Sequence, residues 1–309
     1  MGAIRAVLLA ASQNRWLRDH ASHYRFVKKS VKRFMPGEAL EDAISAARDL
    51  KAKNIASVLT HLGENVSEVR EAEQVTEHYL QALEKLHTEN PETEISVKLT
   101  QLGLDLSPEL CEHNLQRLFA AENPAKTLWI DMEASGYVDV TINIYKSILK
   151  NFPNAGICLQ AYLHRTKADV DSLLSMKPSI RLVKGAYSEP PKVAFQNKSA
   201  IDSSYFALAQ SLLREQTTGA VRRAAFATHD PALIFKITKF AAAEGIANAQ
   251  VEIQMLYGIQ RPEQDRLARG GWRSGVLIAY GDYWYPWFVR RLAERPANVS
   301  LLLRNLFRG

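Results

Sequence analysis

The feature that most constrains this chain is a repeated cadence. A short apolar run, often β-branched, ends in polar residues and gives way to a longer segment with helical periodicity. In order the runs are "IASVLTHLGE" from Ile55, "EISVKLT" from Glu94, "TLWIDME" from Thr127 and "AGICLQAY" from Ala155. They continue with "SIRLVKGAY" from Ser179, "AAFATHD" from Ala224, "QVEIQMLYG" from Gln250 and "GVLIAYG" from Gly275. Between them stand stretches rich in helix formers, such as "SEVREAEQVTEHYLQALEKLH" and "SSYFALAQSLLREQ". Strands alternating with helices predict a parallel sheet, because parallel neighbours need a crossover and a helix usually supplies it. Eight such units in about 250 residues have the size of an α/β protein of the (βα)8 TIM-barrel type. No GxGxxG follows any run, which argues against a doubly wound dinucleotide fold. The expected organisation is an N-terminal helical segment over residues 1–50 and a catalytic barrel over residues 51–309, without a low-complexity linker.

Composition bounds the class. A chain of 309 residues with 47% hydrophobic and 23% charged residues is that of an ordinary globular protein. No apolar run reaches the roughly 18 residues of a membrane-spanning helix. The apolar opening Ala3–Ala11 is short and arginines follow it, so an N-terminal helix is expected over a cleaved signal. Cys111 and Cys158 form no CxxC pattern and read as buried, reduced thiols of a cytoplasmic protein. The eight histidines show no HExxH or comparable spacing, so no metal is expected. Net charge is +6, much of it in Arg15, Arg18, Arg25, Lys28, Lys29, Lys32 and Arg33. That run reads as the solvated face of an amphipathic helix, with peripheral contact at the inner face of the cell membrane as the open alternative. Nucleic acid is not expected as a partner, since no nucleic-acid motif or aromatic stacking platform accompanies the charges.

In TIM barrels the chemistry sits at the carboxyl ends of the strands. Those ends carry Lys98, Asp131 with Glu133, Gln160 with Tyr162, Lys184 with Tyr187, Thr228-His229-Asp230, and Glu252 with Gln254. Each has an ordinary alternative as a surface lysine, a helix cap or a turn. Their recurrence at one structural station favours a polar, mixed-charge pocket, although spacing alone names no reaction.

Further on, "YPWFVRRLAERP" (residues 285–296) fits a helix between Pro286 and Pro296, with Glu294 one turn from Arg290 and Arg291. Taken alone, that triplet is a surface ion-pair face. The aromatic residues crowded ahead of it, Tyr280, Tyr283, Trp284, Tyr285, Trp287 and Phe288, are more than a solvated face needs and leave a carboxylate clamp open.

Seven stretches, "SVKLTQLG", "IDMEAS", "LQAYLHRT", "IRLVKGAYSEP", "FATHDPALI", "VEIQMLYG" and "YPWFVRRLAERP", fall in one order over roughly residues 50–300. In them the chain resembles the proline dehydrogenase family in its short, monofunctional form. The resemblance implies a barrel that binds FAD without a Rossmann fingerprint and has its final helix over the barrel mouth. It implies oxidation of L-proline to Δ1-pyrroline-5-carboxylate, with electrons passed to a quinone or another acceptor. A downstream aldehyde dehydrogenase that consumes the product is an implied partner. By similarity, Lys98, Arg290 and Arg291 hold the substrate carboxylate, Glu294 pairs with the arginines, and Asp131 shapes the pocket. Gln160, Arg181, Val183, Lys184, Gly185, Tyr187, Thr228 and His229 match positions that contact FAD, and Leu256 matches one that packs on the substrate ring.

The residue types suit that chemistry. Guanidinium groups fork onto a carboxylate, and a lysine beside them orients an amino acid without touching its reacting carbon. Two positions depart from the family pattern. Leu277 and Trp287 stand where many members carry tyrosines that wall the pocket, and this opens the alternative of a modified cyclic amino acid such as hydroxyproline, pipecolate or an N-substituted proline. A reading from another class, a basic surface-binding module without catalysis, rests on the early cationic run. The retained Lys98, Arg290, Arg291 and Glu294 argue against it.

Overall fold

The computed structural model describes residues 31–63, 66–90, 92–285 and 288–289. Every apolar run of the cadence contains a strand. These are β1 (Ile55–His61), β2 (Glu94–Val97), β3 (Leu128–Ile130), β4 (Ala155–Gln160), β5 (Ser179–Val183), β6 (Arg223–Ala227), β7 (Glu252–Leu256) and β8 (Arg273–Tyr280). Each pairs in parallel with the next, and β8 pairs with β1 to close the barrel. Helices α1 (Leu40–Lys51), α2 (Val69–Glu89), α3 (Pro108–Ala121), α4 (Val138–Leu149), α5 (Thr166–Asp171), α6 (Lys198–Thr217), α7 (Pro231–Ala243) and α8 (Arg261–Arg269) precede or connect the strands.

Local chemistry starts several of these helices at the barrel mouth. Ser107 accepts from the Leu110 amide ahead of α3, Asn197 from the Ala200 amide ahead of α6, and Asp230 from the Ala232 amide ahead of α7. Pro108 and Pro231 occupy first-turn positions where a missing N–H costs nothing. Asp230 is thus a helix cap, where the sequence offered a turn as its ordinary alternative.

Register sorts the strand residues into two faces, because paired residues in a parallel sheet point the same way. Val58 pairs with Leu277, Ser96 with Trp129, Cys158 with Arg181, and Arg181 with Ala225. Val58, Trp129 and Ala225 form a buried cluster against which Leu277 packs, so this set faces the barrel axis. The alternate residues, among them Leu59, Ile95, Ile130, Ile157, Leu182, Phe226, Ile253 and Ile278, join the main core under the helices. With both faces covered, the strands read as continuous apolar runs, which is why the cadence was visible.

At the amino-terminal end of the barrel, Arg223 joins two carboxylates. Its Nη1 lies 2.5 Å from Glu94 Oε1, and its Nε lies 2.7 Å from Glu252 Oε2. This corrects one expectation. Glu252 opens β7 at the amino end and does not belong to the mouth with Gln254. It neutralises a largely enclosed arginine, a structural task at the amino-terminal end of the barrel.

Candidate active site

Three strands build the centre of the mouth. Lys98 directly follows β2, Asp131 directly follows β3, and Arg181 rises from the middle of β5. Asp131 gathers the other two: its Oδ1 accepts from Arg181 Nη1 at 3.1 Å, and its Oδ2 lies 3.8 Å from Lys98 Nζ. Ser96 completes the set, donating to Asp131 Oδ1 at 2.7 Å and accepting from Arg181 Nη1 at 2.9 Å. The Arg181 guanidinium lies 4.5 Å from the centre of the Trp129 ring, whose Nε1 donates to Glu94 at 2.9 Å. Trp129 needs the glycine beside it on β4. A Cβ on Gly156 would stand 2.5 Å from Trp129 Cε3 and 2.7 Å from Thr127 Cγ2.

Around this centre the other expected positions fall as follows. Gln160 ends β4, and its Nε2 donates to the Met132 and Glu133 carbonyls at 3.4 and 3.1 Å. Glu133 itself is buried and anchors the turn after β2, accepting from Thr100 Oγ1 at 2.7 Å. Burial pushes its carboxyl above the usual range against the pull of that hydrogen bond. Val183 ends β5, and Lys184 follows with its Nζ 2.5 Å from Asp202 and 3.0 Å from Asp230. Lys198 bridges the same two aspartates, tying the start of α6 to the loop ahead of α7. Burial opposes ionisation of Asp230, but hydrogen bonds from Lys184 and Lys198 outweigh it and hold the carboxyl well below the usual range. Gly185 and Tyr187 continue the loop after β5, and Thr228 and His229 follow β6. His229 Nε2 accepts from the Leu256 amide at 2.9 Å, so the other ring nitrogen carries the proton. Leu256 ends β7 in register with Leu277 of β8, placing two aliphatic side chains side by side at the mouth.

Arg290, Arg291, Glu294 and Trp287 lie outside the described residues. Residues 284–285 and 288–289 are helical, and Trp284, Tyr285, Phe288 and Val289 are buried in one cluster with Leu62 and Ala279. Leu62 follows β1, and Ala279 lies near the carboxyl end of β8, so this helical segment sits over the barrel mouth.

Ser96 and Trp129 escaped the sequence reading although both stand inside quoted runs. Strand parity was the available signal, since Ser96 is two residues before Lys98 and Trp129 two before Asp131. Arg181 Nε, Arg181 Nη2 and Gln160 Oε1 are among the buried polar atoms of this region that have no hydrogen-bond partner among the described residues. Buried polar atoms are seldom left unsatisfied, so these two donors and one acceptor are available to water or to a polar ligand.

A closed parallel barrel with a converging set of ionised side chains at its carboxyl rim defines a TIM-barrel enzyme. The chain belongs to the proline dehydrogenase family, whose profile, described as "Proline dehydrogenase", matches residues 43–304. It is 36% identical over 307 residues to proline dehydrogenase 1 of Bacillus subtilis subsp. natto, covering 99% of each chain. It is 34% identical over 285 residues to proline dehydrogenase of Deinococcus radiodurans, covering 90% of each. The likeness therefore extends beyond residues 50–300 to nearly the whole chain. Among solved structures, proline utilization A from Bdellovibrio bacteriovorus, inactivated by N-propargylglycine, superposes with a TM-score of 0.80 at 23% identity. That alignment covers 94% of this chain and 36% of the other, so this chain spans about a third of that larger protein. Among the described residues, no helix is long and apolar enough to cross a membrane.

Proposed function

We propose that this chain oxidises L-proline to Δ1-pyrroline-5-carboxylate, using FAD bound at the barrel mouth. The observation that carries the reading is the coupled set in which Asp131 holds both Lys98 and Arg181 beside the aliphatic pair Leu256 and Leu277. When bound, FAD supplies the two-electron acceptor for hydride removal, at its N5, from the ring carbon beside the substrate nitrogen.

Arg181 Nε and Nη2 offer donors and Gln160 Oε1 an acceptor, a combination suited to the polar edge of a flavin ring. Val183, Lys184, Gly185, Tyr187, Thr228 and His229 complete the proposed cofactor set along the ends of β5 and β6. Lys98 with Arg290 and Arg291 holds the substrate carboxylate, while Asp131 and Glu294 offset three cations facing one anion. Leu256 and Leu277 pack on the ring, with Trp287 as a further part of the wall. Cations around the substrate nitrogen also favour its neutral form, whose lone pair hydride departure requires.

Residues 1–50 form the N-terminal segment and 51–309 the catalytic barrel. Electrons pass to a quinone or another acceptor, in a cytoplasmic enzyme whose basic N-terminal run reaches the inner membrane face. An aldehyde dehydrogenase consumes the product. The test is anaerobic: purified protein should be yellow and bleach on adding L-proline. A colourless protein that takes up no FAD would overturn the proposal.

Leu277 favours a second reading. It packs against Val58, Trp129 and Ala225 inside the barrel, giving a wall without a hydroxyl. Such a wall suits a modified ring such as pipecolate or an N-substituted proline, with hydroxyproline the polar comparison. Flavin reduction across that panel decides it; proline acting at least as well as every other member excludes the alternative.

A further inference from the structure

The helical segment after β8 is held by a part of the chain about 250 positions earlier in the sequence. Val31, Phe34 and Met35, all buried, form a cluster separate from the main core with Leu62, Ala279, Trp284, Tyr285, Phe288 and Val289. Phe34 and Phe288 lie with ring centroids 6.2 Å apart, and Trp284 Nε1 donates to Glu38 Oε1 at 2.9 Å. The segment is seated closely. A Cβ on Gly258, just past β7, would collide with the Arg33 carbonyl. Ala279 shares the inward parity of Leu277 on β8, so the cluster sits over the substrate wall.

Arg290 and Arg291 follow Val289 directly in the sequence. Among the described residues, the barrel's apolar partners for this helix start are Leu62 and Ala279 with Ile259 beside them, and Val31, Phe34 and Met35 join them. We infer that residues 31–38 are a positioning brace for the substrate clamp, with Phe34 and Glu38 setting the helical segment that Arg290 and Arg291 follow in the sequence. The inference rests on the carboxylate-clamp role proposed for those arginines. It assigns these residues to the catalytic mouth, apart from any membrane role of the preceding basic run.

A positioning defect shows in a ligand that needs the clamp and spares one that does not. Glu38→Ala and Phe34→Ala should each raise the KM for L-proline at least fivefold with kcat, measured with a soluble dye, within twofold of the parent. Inhibition by pyrrolidine, which lacks the carboxylate, should stay within twofold. Glu38→Gln keeps an oxygen acceptor for Trp284 and should restore the proline KM. Trp284→Phe, which removes the donor and keeps an aromatic ring, gives the same reading should an alanine variant fail to fold. Combined with Glu38→Ala, it should add less than its separate effect.

Arg290→Ala separates the two ideas. If it raises the proline KM while the Glu38, Phe34 and Trp284 variants do not, the brace is overturned and the clamp stands. If Arg290→Ala leaves the KM unchanged, the clamp fails and the brace falls with it. Equal losses for proline and pyrrolidine in the brace variants would also overturn the inference.

Discussion

Arg181 and Trp129 form a stacked pair inside the barrel, guanidinium to ring centre 4.5 Å, and Arg223 lies 5.0 Å from the same ring. The indole thus sits in contact with the arginine of the mouth and with the arginine of the opposite end. Desolvated cation–π contacts contribute about 2 kcal/mol, and removing a buried indole costs about 3–5 kcal/mol. Trp129→Ala should destabilise the fold by that larger amount in urea titration. Trp129→Phe should cost less, since it keeps a ring but loses the Nε1–H donated to Glu94.

Arg223 supplies a second test. Its charge is shared by Glu94 and Glu252, both buried, and Arg273 Nε stands 3.2 Å from Glu252 as well. Burial pushes the Glu252 carboxyl up, but pairing with Arg223 outweighs it and holds the group below the usual range. Arg223→Met leaves two carboxylates in a low-dielectric site, which costs about 3–5 kcal/mol. The pH dependence should move with it. In the parent, the Glu252 contribution is present above the ordinary carboxylate pKa and is lost as pH falls. In Arg223→Met the protonated carboxyl is favoured, so the gap between the two proteins should narrow in acid. Melting temperatures from pH 7 down to 4 provide the check.

The eight strands were legible because each is buried on both faces and so appears as an unbroken apolar run. Lys98 and Asp131 were legible because strand ends are where a barrel displays polar groups, whereas Leu256 was marked only by the family resemblance. Glu252 was misplaced because β7 is five residues long and lies within a longer run, which marks the strand without showing where it begins. The Arg181–Trp129–Arg223 stack depends on register between β3, β4, β5 and β6, which no single run contains. The Glu38–Trp284 contact joins residues 246 apart, beyond the reach of any local pattern.

Asp131 is the hinge of the proposed chemistry and gives the third prediction. Asp131→Ala removes the acceptor from Arg181 and Ser96 and the counter-charge from Lys98. Charge-assisted hydrogen bonds are worth about 1.5–3 kcal/mol, so kcat/KM for proline should fall by about ten- to a hundredfold. Ser96→Ala, which leaves the Asp131–Arg181 pair in place, should lose less. Steady-state rates with a soluble dye distinguish the two.

The last prediction concerns His61, at the end of β1. Its ring lies 4.2 Å from that of His78 and 5.3 Å from that of Tyr280, and His78 Nε2 shares a hydrogen bond with Tyr280 Oη at 2.9 Å. Burial, with His78 adding to it, pushes His61 down to about 4, and burial lowers His78 as well. Between that value and the ordinary 6.5 the unfolded chain binds more protons at His61 than the folded one. Its contribution is therefore complete above about pH 6.5 and is lost progressively as pH falls toward 4. A shift of that size corresponds to at most ~3.5 kcal/mol, less for the part of the ring that water still reaches. His61→Gln removes the titrating ring at the cost of some packing. Its melting temperature should fall below the parent's at pH 7.5, and the difference should shrink as pH is lowered through 6 and 5. A constant difference across that range would mean that His61 does not titrate with folding.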